Sequence, residues 1–345
     1  MSGNPDETRW RGPTIAEIAQ TSGVGTATVD RVLNKRGRVR DATRKKVMEA
    51  LRSLGGVQRS EPPPAPRRHR IAVLTESGAT FNRMLLEAVD LYAAAHPDVE
   101  CTTTAVPSQE ADPVATAQLI ERAARNADGL VLVAREHLMI NRAVRAVTER
   151  GVPVVCVTTD LPSSNRLAYV GSDQAAAGAT AAYLMGRFVG ARSGKLLLGV
   201  SAAYRAQEER ELGFRRVIRA EFAHLKVDER VNSNDHSDYS YESVRKYIAD
   251  NGPPIGIYNV AGGNVGMARA ISDAGLQGQV VFIGHELHGN TRALLESGSM
   301  DFVIGHDITD EIATSFQTIR AHLCKLPFVP PPLAKVRLYS KYNCN

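Results

Sequence analysis

The stretch GIYNVAGGNVGMARAI, residues 256–271, is composed like a strand, a glycine turn and the start of a helix. Ala261, Gly263 and Gly266 fit a permissive dinucleotide-binding fingerprint, in which small residues bring backbone amides close to a pyrophosphate. Glu286 lies roughly where a ribose-binding acid is expected. Two features oppose that chemistry. A fingerprint of this kind opens the first strand–helix–strand unit of its domain, whereas this one lies about 190 residues beyond the first such strand. Asn259 and Asn264 also flank the glycines with amides, which suit hydroxyl groups better than phosphate. The expectation is a turn that serves another ligand, with no nicotinamide and no other cofactor.

No catalytic pattern competes. The nine histidines form no HExxH, and neither a GxSxG elbow nor a GxxxxGK[ST] phosphate loop occurs. His285, His288 and His306 fall within a short span and read as structural or ligand-contacting groups rather than metal ligands. Cys101, Cys156, Cys324 and Cys344 are scattered without metal or disulfide spacing, the pattern of reduced thiols. An enzyme and a metal site are therefore not expected. No apolar run approaches the roughly 18 residues of a membrane span, and MSGNPDETRWRG lacks the apolar core of a signal peptide. A cytoplasmic protein without membrane contact is expected.

The elements that must position these residues come in two kinds. From Ile71 onward the apolar runs IAVLT, GLVLVA, PVVCVTT, KLLLGVS, PIGIYNV and VVFIGHE each precede a helical stretch, the pattern of buried parallel strands with crossover helices. Such α/β sheets bind ligands beyond the carboxyl ends of their strands. The length exceeds one sheet, so two lobes are expected.

Residues 1–70 differ in charge. They hold 15 Lys/Arg against 7 Asp/Glu, while the remainder holds 27 against 30. A basic head on a mildly acidic body points to a polyanion partner for the head. In TIAEIAQTSGVGTATVDRVLN, Thr14 and Glu17 form a capping box, and Ile15, Ile18 and Ala19 give one apolar face. A break at Ser22-Gly23-Val24 follows, then Val29, Val32 and Leu33 at helical spacing. After a polar loop, Asp41 can cap a third helix with the stripe Val47, Ala50, Leu51 and Leu54. Two short helices joined by a glycine turn, with a supporting third, make a helix-turn-helix.

These residues resemble the head of the bacterial lactose-repressor (LacI/GalR) regulators, which reads T-[IL]-x-[DE]-[IV]-A-x-x-[AS]-G-V-S-x-x-T-V-S-R-V-[LI]-N. The resemblance implies that Thr26 and Ala27 occupy base-reading positions and that Arg31 contacts base edges. It makes Thr14, Thr28, Asn34 and Arg38 backbone or groove contacts. Gly25 and Asp30 stand where serines are usual, so an uncommon operator is expected. The family's hinge helix, Y-x-P-N-x-x-A-R-x-L, is replaced by GGVQRSEPPPAPRRHR. Three consecutive prolines favour polyproline II, and no wedge leucine is present.

The body is similar to the type I periplasmic sugar-binding fold that is fused to these regulators. That implies residues 1–12 as a tail, 13–56 as the DNA-binding head, 57–69 as a Pro-rich linker and 70–345 as an effector-binding domain. Lobe one would hold about 70–171 and 306–332, and lobe two about 172–305 and 333–345. Matched position by position, Phe81, Asp160, Arg210, Asn259, Glu286 and His306 become the effector contacts, with Arg135 and Glu136 as weaker candidates. The reading is an α/β homodimeric transcription regulator, in the first instance a repressor, on a near-palindromic operator. Its effector would be a small sugar, polyol or sugar acid. The alternative is a cytoplasmic or transport-type sugar-binding protein without operator specificity.

The linker makes one measurable difference. A hinge helix that inserts a leucine unstacks a base step and kinks the duplex, and SEPPPAPRRHR lacks both helix and wedge. Operator fragments with the site moved from end to middle should show little change in gel mobility. A strong central kink would show that a hinge element does insert.

Overall fold

The computed structural model describes residues 13–34, 36–37, 39–54 and 68–345, in two compact units divided between Arg67 and Arg68. The tail 1–12, the linker through residue 67 and Arg38 lie outside the described residues, and the expected linker end at 69 gives way to the first strand, which starts at His69. In the first unit, α1 (Ile15–Ser22), α2 (Thr26–Leu33) and α3 (Asp41–Ser53) enclose a small core of Ile18, Val29, Val32, Val47 and Ala50. The Thr14–Glu17 capping box is formed, and Gly23 ends α1 in the left-handed region at φ 64°. Ile15 and Leu54, expected on the apolar stripes, are exposed at the open ends of their helices. Arg40 rather than Asp41 is the N-cap of α3, which leaves Asp41 in the first turn as a charge against the helix dipole.

The second unit begins with β1 (His69–Ser77), α4 (Ala79–Ala95), β2 (Val99–Pro107), α5 (Pro113–Ala123), β3 (Gly129–Val133), α6 (Leu138–Glu149), β4 (Val154–Val157) and β5 (Ala168–Val170). The strands form a parallel sheet in the order β2-β1-β3-β4-β5. The chain then builds α7 (Gln174–Val189), β6 (Gly194–Val200), α8 (Arg205–Glu221), β7 (Leu225–Asn232), α9 (Ser237–Asn251), β8 (Gly256–Asn259), α10 (Asn264–Asp273), β9 (Val281–His285), α11 (Gly289–Glu296) and β10 (Phe302–Gly305). It returns to the first layer with α12 (Ile308–Leu323), whose Ile312, Phe316 and Ile319 enter that core. It ends with β11 (Arg337–Tyr339), antiparallel on β10 at the edge of the second sheet, order β11-β10-β9-β8-β6-β7.

Both faces of each sheet are covered, which is why the inner strands are continuous apolar runs. Alternate β1 residues serve opposite faces: Ile71 and Val73 pack beneath α4 and α12, while Ala72 and Leu74 meet Ile120, Ile140 and Val144. The second sheet is sandwiched in the same way, with Leu196 and Leu198 on one side and Leu197 on the other. Among the described residues no helix is long and apolar enough to cross a membrane.

One packing detail bears on function. Helices α7 and α8 lie backbone to backbone through a reciprocal glycine pair. A Cβ on Gly178 would collide with the carbonyl oxygen of Arg210, and one on Gly213 with that of Ala175. This approach carries Arg210 into the space between the two sheets. Gly178→Ala or Gly213→Ala should cost about 1–3 kcal/mol by overpacking, whereas Gly289→Ala, where a Cβ meets nothing, should be neutral. Denaturant titration of the three variants checks this.

Candidate functional site

On the head, buried Val29 and Val32 turn the opposite side of α2 outward. Thr26, Ala27, Arg31 and Asn34 are exposed there, and Thr28 is half-buried. Gly25 is the N-cap and supplies no side-chain bond to the helix end. The Thr14 hydroxyl is engaged with Glu17, donating to Oε2 at 2.9 Å and accepting the Glu17 N–H at 3.3 Å. Asp30 does not pair with Arg31; its Oδ1 accepts from Asn34 Nδ2 at 2.7 Å.

In the body a cavity of about 140 Å³ opens where the strand ends of the two sheets face each other. A buried water needs roughly 10–15 Å³ of such space, so the cavity has room for a molecule of monosaccharide size. The first layer contributes Phe81 and Met84 from α4 and Thr158 and Thr159 beyond β4; the second contributes Tyr204 at the N-cap of α8, Gln207 and Arg210 from α8, Asp235 beyond β7 and Asn264 of α10. His285 and Glu286 close it at the end of β9. Thr158 and Glu286 hold φ of 62° and 64°, sterically uncommon for residues with a Cβ and a form of local strain that concentrates at ligand sites.

Arg210, 5% exposed, is held on three sides. Its Nε donates to Gln174 Oε1 at 2.7 Å, one terminal nitrogen to the Val260 carbonyl at 3.2 Å and the other to Glu286 Oε1 at 3.2 Å. Behind Glu286 lies His306, with Nε2 3.1 Å from Glu286 Oε2 and Nδ1 2.8 Å from Glu311 Oε1. These are charge contacts, because neither ring N–H points along a hydrogen-bond line. Burial opposes the imidazolium, but the two carboxylates outweigh it and raise the His306 pKa to about 10. Burial likewise opposes charge on Glu286, and His306 and Arg210 overcome it, holding that carboxyl well below the usual range. His285 goes the other way: burial and Arg210 push its pKa far down, and its Nε2 lies 2.8 Å from the Tyr258 hydroxyl.

Of the six residues matched as effector contacts, Phe81, Arg210 and Glu286 line the cavity. His306 stands one layer behind, its ring 6.4 Å from that of Phe81. Asn259 is fully buried beneath the turn, where Nδ2 donates to Gly262 O and Asn264 Oδ1 and Oδ1 accepts from Ala261 N. Asp160 turns away into a two-pronged pair with Arg166, one prong at 2.6 Å, so Thr158 and Thr159 take its place at the cavity. Arg135 pairs with buried Glu76 and donates to Ser108 O, and Glu136 pairs with Arg205. Sequence reading missed Asp235, Gln207 and Tyr204, which lie on loops and helix starts without a periodic signal.

The cavity rim joins the layers directly. Ser108 Oγ donates to Asp235 Oδ2 at 2.9 Å, Gln109 Nε2 to the Asn234 carbonyl at 2.7 Å, and the Ala206 N–H to Thr159 Oγ1 at 3.3 Å. Arg205 meets Glu136 at 3.3 Å. Among the described residues no group of three or more His, Cys, Asp or Glu is placed to hold a metal ion.

Two family models match the chain. The periplasmic binding protein domain covers residues 71–326, and that of the bacterial regulatory proteins of the lacI family covers 14–55. Solved structures share the body fold. A solute-binding protein from Burkholderia graminis in complex with D-arabinose has TM-score 0.75 and 18% identity, covering 81% of this chain and 97% of its own. One from Agrobacterium vitis with bound D-fucose has 0.73 and 22%, covering 79% and 96%. GanP, a glucose-galactose binding protein from Geobacillus stearothermophilus, has 0.73 and 16%, covering 80% and 98%. A comparison with curated proteins finds no match.

The His306 pair has a pH signature. A histidine whose pKa rises from 6.5 to about 10 on folding contributes stability that is complete below pH 6.5 and is lost as pH climbs toward 10. Melting temperature should therefore fall across that window more steeply in the native chain than in His306→Gln. Parallel pH curves would show that His306 is not charged in the fold.

Proposed function

The chain belongs to the periplasmic binding protein domain family and carries the head of the lacI family of bacterial regulatory proteins, and from that premise we propose a ligand-controlled repressor acting in the cytoplasm. It works as a homodimer on a near-palindromic operator, because a two-fold protein presents two recognition helices to two half-sites. The observation that carries the ligand reading is the Arg210–Glu286 pair at the wall of a cavity shared by both layers. Guanidinium, carboxylate and amide groups can each bond two neighbouring hydroxyls, as a sugar or polyol requires.

The charge pattern favours a neutral ligand over a sugar acid or phosphate. Arg210 is bonded to Glu286, His306 lies between two carboxylates and Arg135 is paired with Glu76. Asp235 adds a further negative charge to the lining. An incoming anion would meet cations already neutralised. The sugar ligands of the similar transport proteins support the same class.

Thermal-shift screening of the full chain against neutral sugars, polyols and sugar acids should pick out a neutral compound, since binding to the native state raises its melting temperature. With that compound, Arg210→Ala and Glu286→Ala should each lose at least about 1–3 kcal/mol of binding by calorimetry, because partners are left unbonded. Variants that bind like the native chain would overturn the site. Release of operator DNA by the compound tests the regulatory step and separates this reading from a transport-type binder.

A further inference from the structure

The outer face of α2 carries an anion that DNA binding alone does not call for. With Val29 and Val32 buried, Ala27, Asp30, Arg31 and Asn34 share the opposite side of the helix at its natural spacing. Arg31 and Asp30 are the cation and the anion among them. Among the described residues no base pairs with Asp30: Oδ1 is held by the Asn34 amide at 2.7 Å, and Oδ2 makes no hydrogen bond. A carboxylate so placed subtracts from attraction to phosphate, which Arg36, Arg40 and the Arg44-Lys45-Lys46 run of α3 must supply instead. In the major groove, however, the same group discriminates. It only accepts, so the acceptor edges of guanine and thymine repel it, and the adenine amine comes with the N7 acceptor beside it. The N4 amine of cytosine is the donor that suits it.

We propose that Asp30 is a specificity-determining residue of the head, accepting from the N4 amine of a cytosine in the half-site where Arg31 reads a guanine. The Asn34 amide acts as a positioning group that holds Oδ1 and leaves Oδ2 to the base. The inference rests on the operator-binding reading above and adds which base pair this chain's departure from serine selects.

Selection of duplexes from a random library by the full chain, compared with Asp30→Ser, Asp30→Asn and Arg31→Ala, tests it. The native chain should enrich a half-site with one cytosine and one guanine at fixed spacing. Both Asp30 variants should lose discrimination at the cytosine by about tenfold and keep the guanine, while Arg31→Ala should do the reverse. The two Asp30 variants should also gain affinity for unselected DNA, since they remove a negative charge. Equal melting temperatures would confirm that the substitutions, at half-buried Asp30 and exposed Arg31, leave the head folded. If Asp30→Ser and Asp30→Asn enrich the native motif with its cytosine preference intact, the inference fails and the regulator reading stands. If the native chain enriches no motif, both fail.

Discussion

The buried guanidinium of Arg210 is the group on which the site depends. A cation this deep is tolerated only when its donors are matched, and the fold supplies the partners from separate elements. Gln174, at the first passage between the sheets, accepts from Nε and donates its own amide to the Thr158 carbonyl at 3.0 Å. Val260 lies in the turn after β8, and Glu286 follows β9. Glu286 leads on through His306 to Glu311 of α12, whose Oε2 accepts from the Thr158 hydroxyl at 3.2 Å. A circuit of charged and polar groups thus runs from the cavity wall through the passages at 172–174 and 305–308 and back to the cavity. The Gly178–Gly213 contact sets its geometry, since any residue with a Cβ there would push α8 and Arg210 out of reach.

How much of this was legible in the sequence varied with the kind of signal. Inner strands were readable because a sheet covered on both faces demands unbroken apolar runs. The edge strand β2, CTTTAV at its centre with most of its side chains at least partly exposed, gave no such run. Arg210 and Glu286 were legible because resemblance fixed their position relative to a helix and a strand end. Asp160, matched by resemblance as the carboxylate just beyond β4, is held off the cavity lining because Arg166, six residues on, pairs with it. Asp235 carried no local signal, since its importance comes from Ser108 in the other layer, 127 residues away in the chain. Asp30 was visible as a departure, but not its partner; Asn34 rather than Arg31 takes the carboxylate because it lies one helical turn on.

The turn after β8 shows how small residues at a dinucleotide-like spacing can serve packing instead. Its small residues do allow a close approach, but of the chain to itself. A Cβ on Gly266 would strike the carbonyl of Ser237, and one on Gly263, at φ 86°, would strike the Ser240 hydroxyl, so both positions let α9 lie against the start of α10. The amide that would greet a phosphate is also taken, because the Gly262 N–H donates to Asp235 Oδ1 at 2.8 Å. The carboxylate that occupies this anion position belongs to the protein. Since its other oxygen accepts from Ser108, the turn has become part of the contact between the layers.

That contact rests on a few hydrogen bonds. Asn234 and Asp235 both sit at positive φ, 47° and 50°, a conformation that persists only where neighbouring bonds hold it. The rim bonds at Ser108, Gln109 and Thr159 are each worth about 0.5–1.5 kcal/mol net, so their sum, reduced by the strain of the loop, is comparable to what a few ligand hydroxyls can add. A closed arrangement held by large apolar burial would be indifferent to a small molecule, and one held by nothing would require the ligand to supply all the ordering. On the proposed reading, a polar rim of marginal strength would let a compound that bonds Arg210 and Glu286 on one side and Thr158 on the other shift the balance by its preference for one arrangement of the layers alone.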